Sequence, residues 1–291
     1  MQSSDRHRNP RDLPVFLLFG LLLAAIAAWF VWRHVRATRR RALFSTPLHP
    51  DRRRTLEQKV PLYRALPEAL KDQLHSRINI FLDEKHFTGC GGLEITDEIR
   101  LVIAAQACLL LLNRGTKDYS GFKTILVYPD TYIAPDVEYD GMVEIHDEHE
   151  RAGESWHRGP VILSWQDVIR DTSRLRNGRN VVLHEFAHKL DEENDFSDGF
   201  PNLSDRSQHQ TWASVLSREY DALQEQVERG EFTVLDEYGA ISPAEFFAVV
   251  TETFFERPVQ LKERHPELYE EFTKFYRLDP FEWYSKAGGC A

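Results

Sequence analysis

The apolar residues divide the chain into a short leader and a long body. Leu13–Trp32 (LPVFLLFGLLLAAIAAWFVW) is an unbroken run of 20 residues with no charged side chain. At about 1.5 Å of rise per residue, a helix of that length covers roughly 30 Å, the hydrocarbon thickness of a bilayer. Trp29 and Trp32 stand near its end, where amphipathic rings favour the membrane interface. The run predicts one transmembrane helix over 13–32, after a short tail (1–12) and before a basic linker (33–59). A cleaved signal peptide with its small-residue site at Ala25-Ile26-Ala27 is the weaker reading, because the apolar run continues past that site into an arginine cluster. A buried core helix is weaker still, since nothing beside a terminal run of this length would cover it.

In the body, Leu70, Leu74, Ile78 and Phe81 recur at three- and four-residue steps, which predicts an amphipathic helix over Pro67–Phe87. Ile99–Asn113 (IRLVIAAQACLLLLN) is almost wholly apolar yet too short to span a membrane, so it predicts a central buried helix with Cys108 as a core thiol. Phe122–Tyr128, bounded by Gly121 and Pro129, predicts a strand, and Met142–His146 and Val161–Trp165 are further short strand candidates. From Asn180 onward the pattern is mainly helical. Strands in the middle with helices on either side predict an α+β fold in a single domain, 60–285, with a tail at 286–291.

Composition narrows the function classes. The net charge of −10 argues against a general nucleic-acid binder. Residues 1–41 carry eight Arg against Asp5 and Asp12, a net of +6, so the remainder carries −16. Three Arg precede the apolar run and five follow it closely, which predicts the body on the cytoplasmic side of the inner membrane. The three cysteines, Cys90, Cys108 and Cys290, form no CxxC pair and disfavour a disulfide framework or a thiolate zinc site.

The chemical signal is His184-Glu185-Phe186-Ala187-His188 within VVLHEFAHKLD. On a helix, positions i and i+4 share a face, so both imidazoles reach one ion, while Glu185 is displaced around the helix and suited to act as a general base on a metal-activated water. The metzincin extension fails, with Asp191 in place of Gly and Asn194 in place of His. A third ligand is therefore sought downstream, where Ser242-Pro243-Ala244-Glu245 opens a helix. Ser242 with Glu245 also reads as a capping box, which would make Glu245 structural. Glu252 lies two turns on, and spacing alone leaves the two equal. Tyr238 precedes this helix as a phenol able to hold an oxyanion. His146, His149 and His157 lie among acidic residues and read as a solvated loop, and Cys290 as part of a frayed terminus.

Several segments together resemble the Mlc titration factor A family of zinc-dependent peptidases. They are IAAQACLLLLN (103–113), ILVYPD (125–130), GESW (153–156), GPVILSW (159–165), HEFAHKLD (184–191) and YGAISPAEFFAV (238–249). The resemblance implies a zincin-like metallopeptidase of the glutamate-zincin type, with a small mixed sheet and the HExxH on a helix, similar in core to the anthrax lethal factor catalytic domain. It implies one Zn2+ held by His184, His188 and Glu245, with Glu185 as base, Tyr238 as transition-state donor, and Glu252 orienting a ligand histidine. Peptide or protein substrates would follow. So would a regulatory protein partner such as a glucose-responsive repressor, which leaves open a membrane-tethered binding module with zinc in a mainly structural role. The apolar leader stands outside the resemblance.

Overall fold

The computed structural model describes residues 12–114, 119, 121–130, 159–174, 176–194, 197–203 and 206–287. The strand candidate Met142–His146, the histidine loop with His146, His149 and His157, GESW (153–156) and Cys290 lie outside the described residues.

Two units are distinguished, Met1–Thr46 and Pro47–Ala291. The described part of the first is one helix, α1 (Asp12–Ser45). It outlasts the apolar run that predicts it because 33–45 contains no Gly or Pro to break it. Its Leu21, Leu22, Phe30 and Trp32 are exposed, and the apolar window found within Gly20–Ser45 has no buried share, which is unlike a core helix. Its length and composition suit a membrane anchor or a signal sequence.

The second unit begins with α2 (Pro50–Lys59) and α3 (Pro61–Ala65), each with proline at its start, where the missing N–H costs nothing. Leu48, Leu56 and Val60 are buried, so the stretch 47–60 supplies core residues beneath its arginines. Helix α4 (Glu68–Glu84) buries Leu74, Ile78 and Phe81, as the periodicity predicts. Strand β1 (His86–Gly89) follows at once. Helix α5 (Asp97–Leu109) is capped by Thr96, whose hydroxyl accepts from the Ile99 N–H at 3.2 Å, and it is buried on almost every side. Strands β2 (Thr124–Tyr128) and β3 (Val161–Ser164) complete a sheet of order β1-β2-β3.

Among the described strands the sheet is parallel, where a mixed one was expected. All three described strands are parallel, with Phe87 opposite Ile125 and Leu126 opposite Ile162. The reason for the first pair is the intervening α5, a crossover that returns the chain in the direction it came. Ser164 ends β3 and caps α6 (Trp165–Ser173), so Trp165 is helical rather than extended.

Five helices follow: α7 (Val181–Asp191), α8 (Arg206–Glu228), α9 (Pro243–Glu256), α10 (Pro258–Arg264) and α11 (Pro266–Tyr276), and then α12 (Pro280–Ala287) ends the described chain. Helices α7 and α9 pack on each other, and each is anchored by its own aromatic cluster. Phe186 of α7 meets Phe81, Tyr119 and Phe122. Phe247 and Phe254 of α9 meet Phe272, which stacks on Trp212 at 5.2 Å between ring centroids. Truncating one such buried ring costs about 3–5 kcal/mol, so the two helices are held firmly in place.

Gly199 joins three of these elements. Its N–H donates to Asp191 Oδ2 at 2.8 Å, and its carbonyl accepts from Trp212 Nε1 at 3.2 Å. Its φ is +76°, and a Cβ there would lie 2.5 Å from the Pro243 carbonyl oxygen at the start of α9. Gly199→Ala should therefore destabilise the protein by on the order of 1–3 kcal/mol, read as a lower thermal midpoint by circular dichroism. An unchanged midpoint would contradict this account of the α7–α9 junction.

Candidate metal centre

Local sequence fixes the first half of the site. Asn180 is extended (φ −159°), and its side-chain oxygen accepts from the Leu183 N–H at 3.1 Å, which starts α7. His184 and His188 then fall one turn apart, with ring centroids 4.9 Å from each other. The second half comes from α9. Ser242 Oγ accepts from the Glu245 N–H at 3.2 Å, and Pro243 occupies the first helical position. The cap uses only the backbone of Glu245. Its carboxylate is free to face α7, so the capping and chemical readings of this residue are compatible.

Glu245 Oε2 lies 2.9 Å from His184 Nε2, and Oε1 lies 3.4 Å from His188 Nε2. The two Nε2 atoms are 3.2 Å apart. All three ligand atoms lie within 4.8 Å of one another. Glu252 occupies the other side of the His184 ring, 2.8 Å from Nδ1. Spacing left Glu245 and Glu252 equal, whereas the fold puts them on opposite ring nitrogens.

The donor set fits a cation. With its Nδ1–H given to Glu252, a neutral His184 turns the Nε2 lone pair toward a carboxylate, so two acceptors face each other. Glu245 Oε2 and His188 Nδ1 are buried without a hydrogen-bond partner among the described residues. Tetrahedral zinc with Zn–N bonds of about 2.0–2.1 Å separates its ligands by roughly 3.3 Å, close to the imidazole spacing seen here. Electrostatics agree. Burial opposes charge on His184, yet Glu245 and Glu252 outweigh it and raise its pKa well above the usual value. Burial also pushes the Glu245 carboxyl up, but the two adjoining imidazoles hold it far below its ordinary value. A positive charge is thus favoured at the centre of the cluster.

Glu185 is half-buried and stands next to His184 on α7. Tyr238 sits in a 3-10 turn, Glu237–Ala240, and its ring centroid is 5.9 Å from that of His184. Asp236 caps this turn and pairs with Arg179 at 2.6 Å, which ties the Tyr238 segment to the start of α7.

Sequence reasoning missed the polar support beneath the site. Asn180, Gln106, Thr172, Asp171, Glu256 and Asp191 are all buried. Gln106 Nε2 donates to Thr172 Oγ1 at 3.0 Å, and Asp171 Oδ2 accepts from the Val181 N–H at 3.1 Å. Glu256 accepts from the Arg176 N–H at 2.8 Å and from Asn180 Nδ2 at 3.2 Å. The available signal was a polar residue inside an otherwise apolar run: Gln106 in IAAQACL, and Glu252 and Glu256 in VVTETFFE. Burial pushes Glu256 up to about 7, with Glu252 and Asp171 adding to the effect, and pushes Asp191 up to about 6.

Residues 32–277 match the model of the glucose-regulated metallo-peptidase M90 family. An uncharacterized protein of Synechocystis sp. is 42% identical over 270 residues, covering 92% of this chain and 98% of its own length. That coverage leaves too little of the chain unmatched to omit the whole of α1. Mlc titration factor A of Yersinia pestis and of Yersinia pseudotuberculosis are each 35% identical over 225 residues, covering 76% of this chain and 82% of theirs.

Two outcomes are expected. Zinc measured by elemental analysis should be about one per chain in wild type, lost in Glu245→Ala, and retained in Glu252→Ala with affinity about 10–100-fold weaker. Loss in Glu252→Ala with retention in Glu245→Ala would reverse the two roles. The second outcome concerns pH. Glu256 has a folded pKa above its ordinary value of 4.5, so the folded state holds that proton more tightly than the unfolded state. Its stabilising contribution is complete below about 4.5 and is lost as pH rises through about 7. Melting temperature of the metal-free protein should fall across that window, and Glu256→Gln should flatten the fall, leaving the part due to Asp191. An equally steep fall in the variant would exclude Glu256 as a source.

Proposed function

The chain belongs to the glucose-regulated M90 metallopeptidase family, and on that premise we propose that it is a zinc-dependent peptidase anchored in the membrane by α1. The observation that carries the reading is the convergence of His184 Nε2, His188 Nε2 and a Glu245 carboxylate oxygen within 4.8 Å. Two neutral nitrogens and one carboxylate suit zinc and leave a fourth position for water or substrate. A zinc ion held there would bring the pKa of its water from 15.7 toward about 7 and polarise the scissile carbonyl.

The chain's own residues do the rest. Glu185 takes the proton of the attacking water and passes it to the leaving amine. The Tyr238 phenol donates a hydrogen bond to the oxyanion that forms on the carbonyl. Glu252 accepts from His184 Nδ1–H and so keeps Nε2 facing the ion. Strand β3 is an edge of the described sheet and packs near α7, which suits it to pair with an extended peptide. The arginines at 33–41 favour the cytoplasmic side for the catalytic unit.

The name of the Yersinia relatives favours a second reading. In it the domain sequesters a regulatory protein, such as a transcriptional repressor, and the zinc serves mainly structure. Glu185→Gln separates the two. On the peptidase reading turnover of a peptide substrate falls by about 100-fold or more while zinc is retained. A sequestering module has no need of a general base and keeps its binding in that variant. Unchanged turnover in Glu185→Gln would refute the mechanism.

A further inference from the structure

Every polar atom of Asn180 is engaged, and the residue is only 1% exposed. Its N–H donates to Glu252 Oε2. Its carbonyl accepts from the His184 N–H at 3.0 Å. Its side-chain oxygen caps α7 at Leu183, and Nδ2 donates to Gln106 Oε1 at 2.7 Å and to Glu256 Oε1 at 3.2 Å. Glu252 in turn meets His184 Nδ1 at 2.8 Å. Three of these contacts close a ring, from the His184 backbone to the Asn180 carbonyl, from the Asn180 N–H to Glu252, and from Glu252 back to the His184 imidazole. One residue thus holds both the main chain and, through a carboxylate, the ring of a candidate ligand. Its carboxamide fastens that ring to α5 through Gln106 and to α9 through Glu256.

A helix cap alone asks for less. Serine or aspartate would satisfy the Leu183 N–H about as well as asparagine. What neither supplies is a neutral side chain with two donors, directed at Gln106 and Glu256. Aspartate would also add a negative charge where Asp171, Glu252 and Glu256 are already buried, which is costly.

We infer that Asn180 is a positioning residue, whose carboxamide, held between Gln106 and Glu256, sets the direction of Glu252 and through it the aim of His184 Nε2 at the metal. The inference rests on the metal reading given above, and its test does not use peptidase activity.

The experiment compares the full chain, purified in detergent, as wild type, Asn180→Ser and Gln106→Met. Zinc affinity is measured by competition with a chromophoric chelator, at a temperature where circular dichroism shows each variant folded. The visible spectrum of the Co2+ form is recorded in parallel. Asn180→Ser keeps a good cap, so a purely capping role leaves both readings unmoved. Positioning predicts zinc binding about 10–100-fold weaker and a shifted Co2+ spectrum. Wild-type affinity and spectrum in Asn180→Ser would overturn the inference, whatever its melting temperature. Should that variant not fold, Gln106→Met decides alone, because it leaves residue 180 intact and removes the nearer of the two acceptors that hold its Nδ2. Weaker zinc binding there supports the inference, and unchanged binding overturns it. A wild type that takes up no zinc would instead remove the metal reading itself, and the inference with it.

Discussion

The placing of three carboxylates along α9, two buried and one half-buried, is the constraint on which the rest of the structure depends. Glu245, Glu252 and Glu256 all turn toward α7 and the segment before it. Carboxylates taken out of water need donors or a cation. The chain meets that need in three ways. Glu256 receives backbone and amide N–H groups from Arg176 and Asn180. Glu252 receives the Asn180 N–H and one imidazole nitrogen. Glu245, at the outer end, is left facing two imidazole nitrogens. Charge compensation thus grows less complete along the helix, and it is least complete where a cation fits. The aromatic clusters around Phe186 and Phe254 hold α7 and α9 close enough for this to matter.

Much of this was legible in the sequence. The histidine pair, Glu185 and the start of α9 follow from local spacing, because helical periodicity places i and i+4 on one face wherever the helix sits. The buried α4 and α5 follow from apolar periodicity in the same way. The choice between Glu245 and Glu252 does not. Both lie on one face of one helix, and only the depth at which α9 crosses α7 assigns them to opposite nitrogens of His184. Parallel pairing of the strands was equally hidden, since β1 is a four-residue strand joined directly to the end of α4. The supporting residues Gln106, Asn180 and Asp171 are separated from their partners by up to 76 positions, and no local pattern announces such contacts.

The family resemblance was carried by segments that the fold now explains. IAAQACL carries Gln106, which accepts from Asn180 Nδ2 at 2.7 Å. HEFAHKLD ends in Asp191, which receives Gly199. YGAISPAEFFAV spans the Tyr238 turn, the Ser242 cap and Glu245. These stretches meet around one centre although they are far apart in the chain.

The spacing of the two imidazole nitrogens, 3.2 Å, has a consequence for how the protein is loaded. Ligands already at bonding separation do not have to be gathered by the incoming ion. The helices that carry them are held by apolar clusters of their own, unlike small zinc fingers, where the ion assembles the domain.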